Sequence, residues 1–404
     1  MRKITFLSIM FLIAFGASNV SAQFNIKIPK INKPKIEQPK TDGDSTGTTN
    51  PNPNRNQPQK SAGSVGYMPQ PLPTNMPVLL KNTLNIGIKS TNTYWKFPNQ
   101  TFYTSWMPVI FFDLFYDNSE TVRYTAEWLN PDGSLWFSQP VDGTQTRYDS
   151  ALFDTKASIA TGTFGLRLLN SKTKEVVFQG KFKVNRQQLN PGEPRYKNLA
   201  AFSVENDWSL PIGYVGFSEH TTWDKDPTPT VYLWFKGELK AEDFEARLFY
   251  NNQQITSTDD GGAITNGSAL GSEERNADTC ALQPETCHYL LWGFTWKNFI
   301  VESFDAGSHN FAYRRENPNA VYTRDKPGEY TVKIFYKGAQ VRETKFTVQP
   351  NGWLAANAFA AQLPLDRLKI VVPVKIMGTL DKYNQAAWKT DAFYGNPLNG
   401  FVAP

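Results

Sequence analysis

Three histidines, His220, His288 and His309, and two cysteines, Cys280 and Cys287, are the chain's whole stock of imidazole and thiol chemistry across 404 residues. A Ser-His-Asp site needs a histidine beside an activated serine, and no G-x-S-x-G elbow accompanies any of the three. Structural zinc favours two cysteines in C-x-x-C spacing; here six residues separate them, so a local disulfide is the better reading. Adjacent carboxylates, Asp259-Asp260 and Glu273-Glu274, sit in Gly- and Ser-rich sequence. Glycosidic chemistry would need two carboxylates held roughly 5 to 10 Å apart across a cleft, which neighbours in sequence do not provide. No phosphate-cradling G-x-x-x-x-G-K-[ST] motif and no EF-hand loop occurs. The expectation is a protein with no catalytic residues, no metal and no cofactor.

Aromatic side chains are the richer resource, at 14% of the chain with 11 tryptophans. Trp128, Trp136, Trp234, Phe112, Phe235, Tyr330 and Phe346 fall in strand-like runs and are expected to pack in cores. Trp223, Trp292, Trp296, Trp353 and Trp388 fall in or near loop sequence. Exposed there, they would stack on sugar rings or anchor a protein interface, so these five are the candidate binding residues.

The elements that would position such residues are strands. After Leu79, apolar runs of four to eight residues rich in Val, Ile, Phe, Tyr and Trp alternate with turn clusters, and helical periodicity is scarce. PVIFFDLFY leads to VRYTAEWL, and Asn130-Pro131-Asp132-Gly133 turns that strand into SLWFSQ. TGTFGLRLLN and EVVFQGKFKV make a second hairpin. A similar order returns in PTVYLWF, DFEARLFYNNQQI and PGEYTVKIFYKGAQVRETKFTV, with Pro108, Ala126, Gly162 and Val184 matched by Pro229, Ala246, Gly328 and Val348. The second unit is longer, with an insertion at about 255–326 that holds both cysteines.

This pattern predicts an all-β chain of two tandem antiparallel β-sandwiches, 79–186 and 198–349, joined by the Pro- and Gly-containing stretch 187–197. In strand pattern residues 79–349 resemble the broad immunoglobulin-like and fibronectin-type group of sandwiches. The resemblance implies a scaffold for presented loops; the antibody-type Cys, Trp, Cys framework is missing, so it implies no particular ligand. A C-terminal extension, 350–404, contains an Ala-rich stretch read as a short helix and LKIVVPVKIM, whose Pro373 points to an edge strand. Such an edge could dock on the second sandwich or add to the sheet of another chain.

Residues 1–22 read as a signal peptide: Arg2 and Lys3, an apolar run too short to span a bilayer, then Val20-Ser21-Ala22. Residues 23–78 read as a disordered Pro- and Lys-rich linker. The formal net charge of +5 resides in the leader and this tail, where Lys27, Lys30, Lys33, Lys35, Lys40, Arg55 and Lys60 face only Glu37, Asp42 and Asp44. The body is near neutral, which gives no reason to expect nucleic-acid binding, and confines membrane or envelope contact to the tail.

The expected protein is exported, to a periplasm, cell surface or extracellular space. It would be a non-catalytic binding or assembly protein that presents loops and sheet edges to a protein partner or to copies of itself. Polysaccharide binding through the loop aromatics, and a hydrolase with its site in 255–326, are the alternatives.

Overall fold

The computed structural model describes residues 79–90, 105–114, 123–146, 150–188, 200–218, 228–258, 263–266, 274–277, 279–280, 284–296, 298–300, 321–350 and 370–385, with a few single positions beyond these. The leader and tail expected at 1–78 lie outside the described residues. Both sheets fall within one compact unit, Gln57–Pro404.

The described chain is all-β, with two sheets, one nearly closed and one a half-barrel. The first has β1 (Leu79–Ser90), β2 (Trp106–Leu114), β3 (Tyr124–Leu129), β4 (Leu135–Asp142), β5 (Gln145–Thr146), β6 (Gly162–Asn170), β7 (Val176–Gln188) and β8 (Ala200–Val204). Their order is β1-β2-β5-β4-β3-β6-β7-β8, and the end strands β1 and β8 approach each other. A short helix, α1 (Ser150–Lys156), precedes β6. Alternation in β3 and β7 buries one face and wets the other, as expected for antiparallel strands with one solvated side.

The second sheet has ten strands. They are β9 (Ile212–Ser218), β10 (Thr228–Lys236), β11 (Phe244–Tyr250), β12 (Gln253–Ser257), β13 (Ala263–Asn266), β14 (Glu274–Arg275), β15 (Tyr289–Trp296), β18 (Gly328–Tyr336), β19 (Ala339–Val348) and β20 (Ile370–Ile376). The order is β12-β11-β18-β19-β20-β9-β10-β15-β13, with β14 also on β15. A separate two-residue pair is β16 (Phe299–Ile300) with β17 (Val321–Tyr322).

The hairpins repeat. The order β4-β3-β6-β7 in the first sheet has its counterpart in β12-β11-β18-β19 of the second. The matched landmarks are register partners: Gly162 opposes Val184, and Gly328 opposes Val348. Both glycines sit at positive φ, 127° and 136°, where a side chain would be strained. Likewise β1-β2 and β9-β10 are antiparallel pairs, and Pro108 and Pro229 both lie on the second strand of each.

Three expectations need correction. β8 begins at Ala200, inside the expected second domain, yet it pairs with β7 and completes the first sheet. The expected insertion is not an excursion, because it supplies β13, β14 and β15. β15 pairs with β10 over seven positions and is buried at every residue. An eight-residue run with apolar residues on both faces is the mark of a strand covered on both sides.

Nor is the strand carrying Pro373 an edge. β20 pairs with β9 through Ile370–Pro373 and with β19 through Val374–Ile376. Pro373, which has no N–H to give, falls at the changeover between partners, and its carbonyl accepts from the Thr344 hydroxyl at 2.8 Å. The first core extends into the second sheet: Ile212 and Tyr214 of β9 and Val371 of β20 join Trp106, Trp128 and Phe164 in one cluster. The opposite faces of β9 and β20, with Val215, Val372 and Val374, line the second core. Gly213 makes this layer possible: a Cβ there would lie 2.7 Å from Leu233 and 2.8 Å from Val374.

Candidate functional site

Of the five candidate tryptophans the structure describes two, and both are buried. Trp292 and Trp296 lie on β15 in the second core, where the Trp292 ring stands 4.8 Å from Phe244 and the Trp296 indole N–H donates to the Ala246 carbonyl at 3.1 Å. They cannot stack on a ligand, and burial of β15 on both faces is the reason. Trp223, Trp353 and Trp388 lie outside the described residues, as do His220, His309 and Asp259-Asp260. Cys280 and Cys287 form the expected disulfide, with Cα atoms 5.7 Å apart. Both are buried.

The disulfide closes a segment that bridges the two sheets. Asn276, at φ 63°, uses one side-chain amide three times: its oxygen accepts from the Val204 N–H at 3.2 Å, and its nitrogen donates to the carbonyls of Val204 at 2.7 Å and Cys287 at 2.8 Å. The side chain thus takes the place of a neighbouring strand along β8, satisfying backbone groups that an open edge leaves unpaired. On β1, the Asn85 amide reaches the Glu274 carbonyl at 3.5 Å, and on β7 Gln187 donates to Thr286 at 3.4 Å. Glu274, Asn276 and Thr286 thus reach β1, β8 and β7 at and beside the two ends of the first sheet. A cavity of about 270 Å³ lies beside the Asn85–Glu274 contact, lined by Thr83, Asn85, Phe111, Asp113, Gln145 and Glu274 among others.

Arg275, next along, is 2% exposed, with its guanidinium 4.2 Å from the Trp234 ring centroid and 5.1 Å from that of Trp208. Such stacking suits the weakly hydrated, planar guanidinium better than it would a lysine.

Past the disulfide, Tyr289 opens β15 and meets a buried polar cluster. Asp207 sits in a 3-10 turn between β8 and β9. Lys236 Nζ is 2.6 Å from Asp207 Oδ1, with side chains 7% and 3% exposed. The Tyr289 hydroxyl donates to the same oxygen at 2.6 Å, and the Asn384 N–H donates to Oδ2 at 2.7 Å. Lys236 also donates to the Lys382 carbonyl at 3.0 Å. Alongside, Arg342 of β19 pairs with Asp381, both wholly buried. Arg342 donates further to the Val341 and Trp234 carbonyls at 2.9 and 3.3 Å. Burial, then Asp207, holds the Tyr289 phenol well above its ordinary range; the same two causes push Tyr383 up to about 12.

The residues that come together are thus Asp207, Lys236, Arg275, Asn276, Tyr289, Arg342, Asp381 and Asn384, none of which stood out in the sequence. They form a polar seam fastening the turn after β8, the disulfide segment and the chain after β20 onto one face of β10 and β15. Among the described residues, no group of three or more His, Cys, Asp or Glu is placed to hold a metal ion, and no helix is long and apolar enough to cross a membrane. No protein family, curated protein or solved structure matches this chain.

Proposed function

We propose that this is an exported, non-catalytic binding or assembly protein, a stiff two-repeat β scaffold that presents its loops and sheet edges to a protein partner or to further copies of itself. The observation that carries this reading is the seam. Asn276 and the Cys280–Cys287 segment of the second repeat complete the open edge of the first, so both repeats are held in one body. A scaffold whose surfaces keep a constant relative placement loses little freedom when a partner engages both repeats, and that preorganisation favours affinity.

Other features support the same reading. A disulfide is at home in an oxidising compartment and agrees with the leader-like residues 1–22. The matched strand orders and paired glycines fit a tandem duplication of an immunoglobulin-like unit, with the repeats running from β1 to β8 and from β9 to β20. The basic tail would place the body near an anionic envelope surface.

The test is in-cell crosslinking followed by affinity capture of the full mature chain. A stable complex, with crosslinks mapping to loops and strand edges of both repeats, is expected. Retention on insoluble polysaccharide without any protein partner would contradict the proposal.

A further inference from the structure

We infer that Lys236 and Asp207 are a self-condensing pair, which joins β10 to the turn after β8 through an intramolecular isopeptide bond. Four properties of the site meet on these two residues. The amine and carboxyl are in contact at 2.6 Å, which brings the nitrogen near the separation of about 3 to 3.5 Å from carbon at which a bond can form. Both side chains are more than nine-tenths buried, at 7% and 3% exposed, so the ion pair is costly to keep and water is kept from the product. A phenol, Tyr289, is hydrogen-bonded to one carboxyl oxygen. A fixed backbone donor, the Asn384 N–H, holds the other.

Each of these has a place in the condensation. The ammonium passes one proton to Oδ1, leaving an amine facing a carboxylic acid. The nitrogen lone pair attacks Cγ, and the Cγ–Oδ2 π pair moves onto Oδ2, where the Asn384 N–H stabilises the developing charge as an oxyanion donor does. A second proton travels from nitrogen through the Tyr289 hydroxyl to Oδ1. The Cγ–Oδ1 bond breaks and one water leaves, with no oxidant, reductant or other reactant required. The third hydrogen stays on the amide nitrogen, where the Lys382 carbonyl already accepts from it. The amide therefore inherits the hydrogen bonds of the ion pair while shedding both charges.

The chain contains its own controls. Arg342 and Asp381 are equally buried and paired, but a guanidinium is a poor nucleophile. Lys183–Glu205 and Lys345–Glu329 have amines in the same kind of contact, with lysine side chains 41% and 54% exposed, where water opposes condensation.

Intact-mass measurement of the full mature chain, unfolded and with its disulfide reduced, tests this directly. The expected mass is one water below that calculated for the residues the measured chain contains. Proteolysis should give a branched peptide joining the segment with Asp207 to that with Lys236, uncut at Lys236. Lys236→Arg should restore the full mass, and the map of the unsubstituted chain decides the matter even if that variant fails to fold. A full mass for the unsubstituted chain would overturn the inference. So would a water loss confined to one linear peptide, as from a succinimide at Asp132-Gly133 or Asp142-Gly143. Tyr289→Phe should fold and accumulate the branched peptide more slowly; an unchanged rate would overturn the part given to Tyr289.

Discussion

Asn276 supplies three hydrogen bonds from one side chain and stands in for a missing strand beside β8. Asn276→Ala leaves the Val204 N–H without its side-chain acceptor, at a cost of about 1 to 3 kcal/mol where water does not replace it, while the Val204 carbonyl keeps the Asn206 amide as a donor at 3.1 Å. Reduced urea stability, with faster hydrogen exchange at Val204, is the expected readout. The tyrosines set a separate dependence on pH. Tyr289, Tyr330 and Tyr383 are raised by burial above the ordinary value of 10.0, so the unfolded chain releases these protons first. Their contribution is complete below pH 10 and is lost as pH climbs from there toward the folded values. Urea midpoints should hold steady to about pH 9 and then decline, with the phenolate absorbance appearing together with unfolding. None of these roles was legible from sequence. Asp207, Lys236 and Asn276 have the composition of ordinary wet turns, and only the arrival of distant segments over them makes their polarity structural.

At the level of elements, the apolar runs did announce themselves. PTVYLWF, GEYTVKIFY and the hairpin 161–184 are strands where expected. The eight buried residues of β15 were equally readable as a two-face-covered strand. Counting 255–326 as an insertion disguised them, because the first sheet has β5, β4 and β3 where the second turns to β15. Pro373 misled for a physical reason: a strand that changes partners can place a proline where neither ladder needs its N–H. The tight β9 layer makes Gly213→Ala a sharp test. The added methyl meets Leu233 and Val374 side chains at under 3 Å and should cost about 1 to 3 kcal/mol through overpacking, read as a lowered unfolding midpoint. Opening the disulfide should remove about 2 to 3 kcal/mol by the chain-entropy account of a short loop. The accompanying rise in exchange should centre on β8, not on β11 or β18, because Asn276 and Thr286 are hydrogen-bonded to β8 and β7 of the first sheet.

For the whole molecule, the recurrence of β4-β3-β6-β7 as β12-β11-β18-β19 was legible as matched landmarks, whereas the joining of the repeats was not. Sequence grammar treats a Pro- and Gly-containing stretch such as 187–197 as a boundary between bodies. The structure carries β8 back to the first sheet and lets β9 and β20 present one face to each core. The near-neutral body and basic tail remain distinct in charge, and any attraction to anionic surfaces should be lost when residues 23–78 are deleted, as read by sedimentation with anionic vesicles. That the two repeats form one clasped body is tested most directly by hydrogen exchange of the full chain in graded urea, read by mass spectrometry. Peptides from β3, β6 and β7 should open with the same free energy and urea dependence as those from β11, β18 and β19. Separate openings of the two sets, one repeat exchanging fully while the other stays protected, would contradict it.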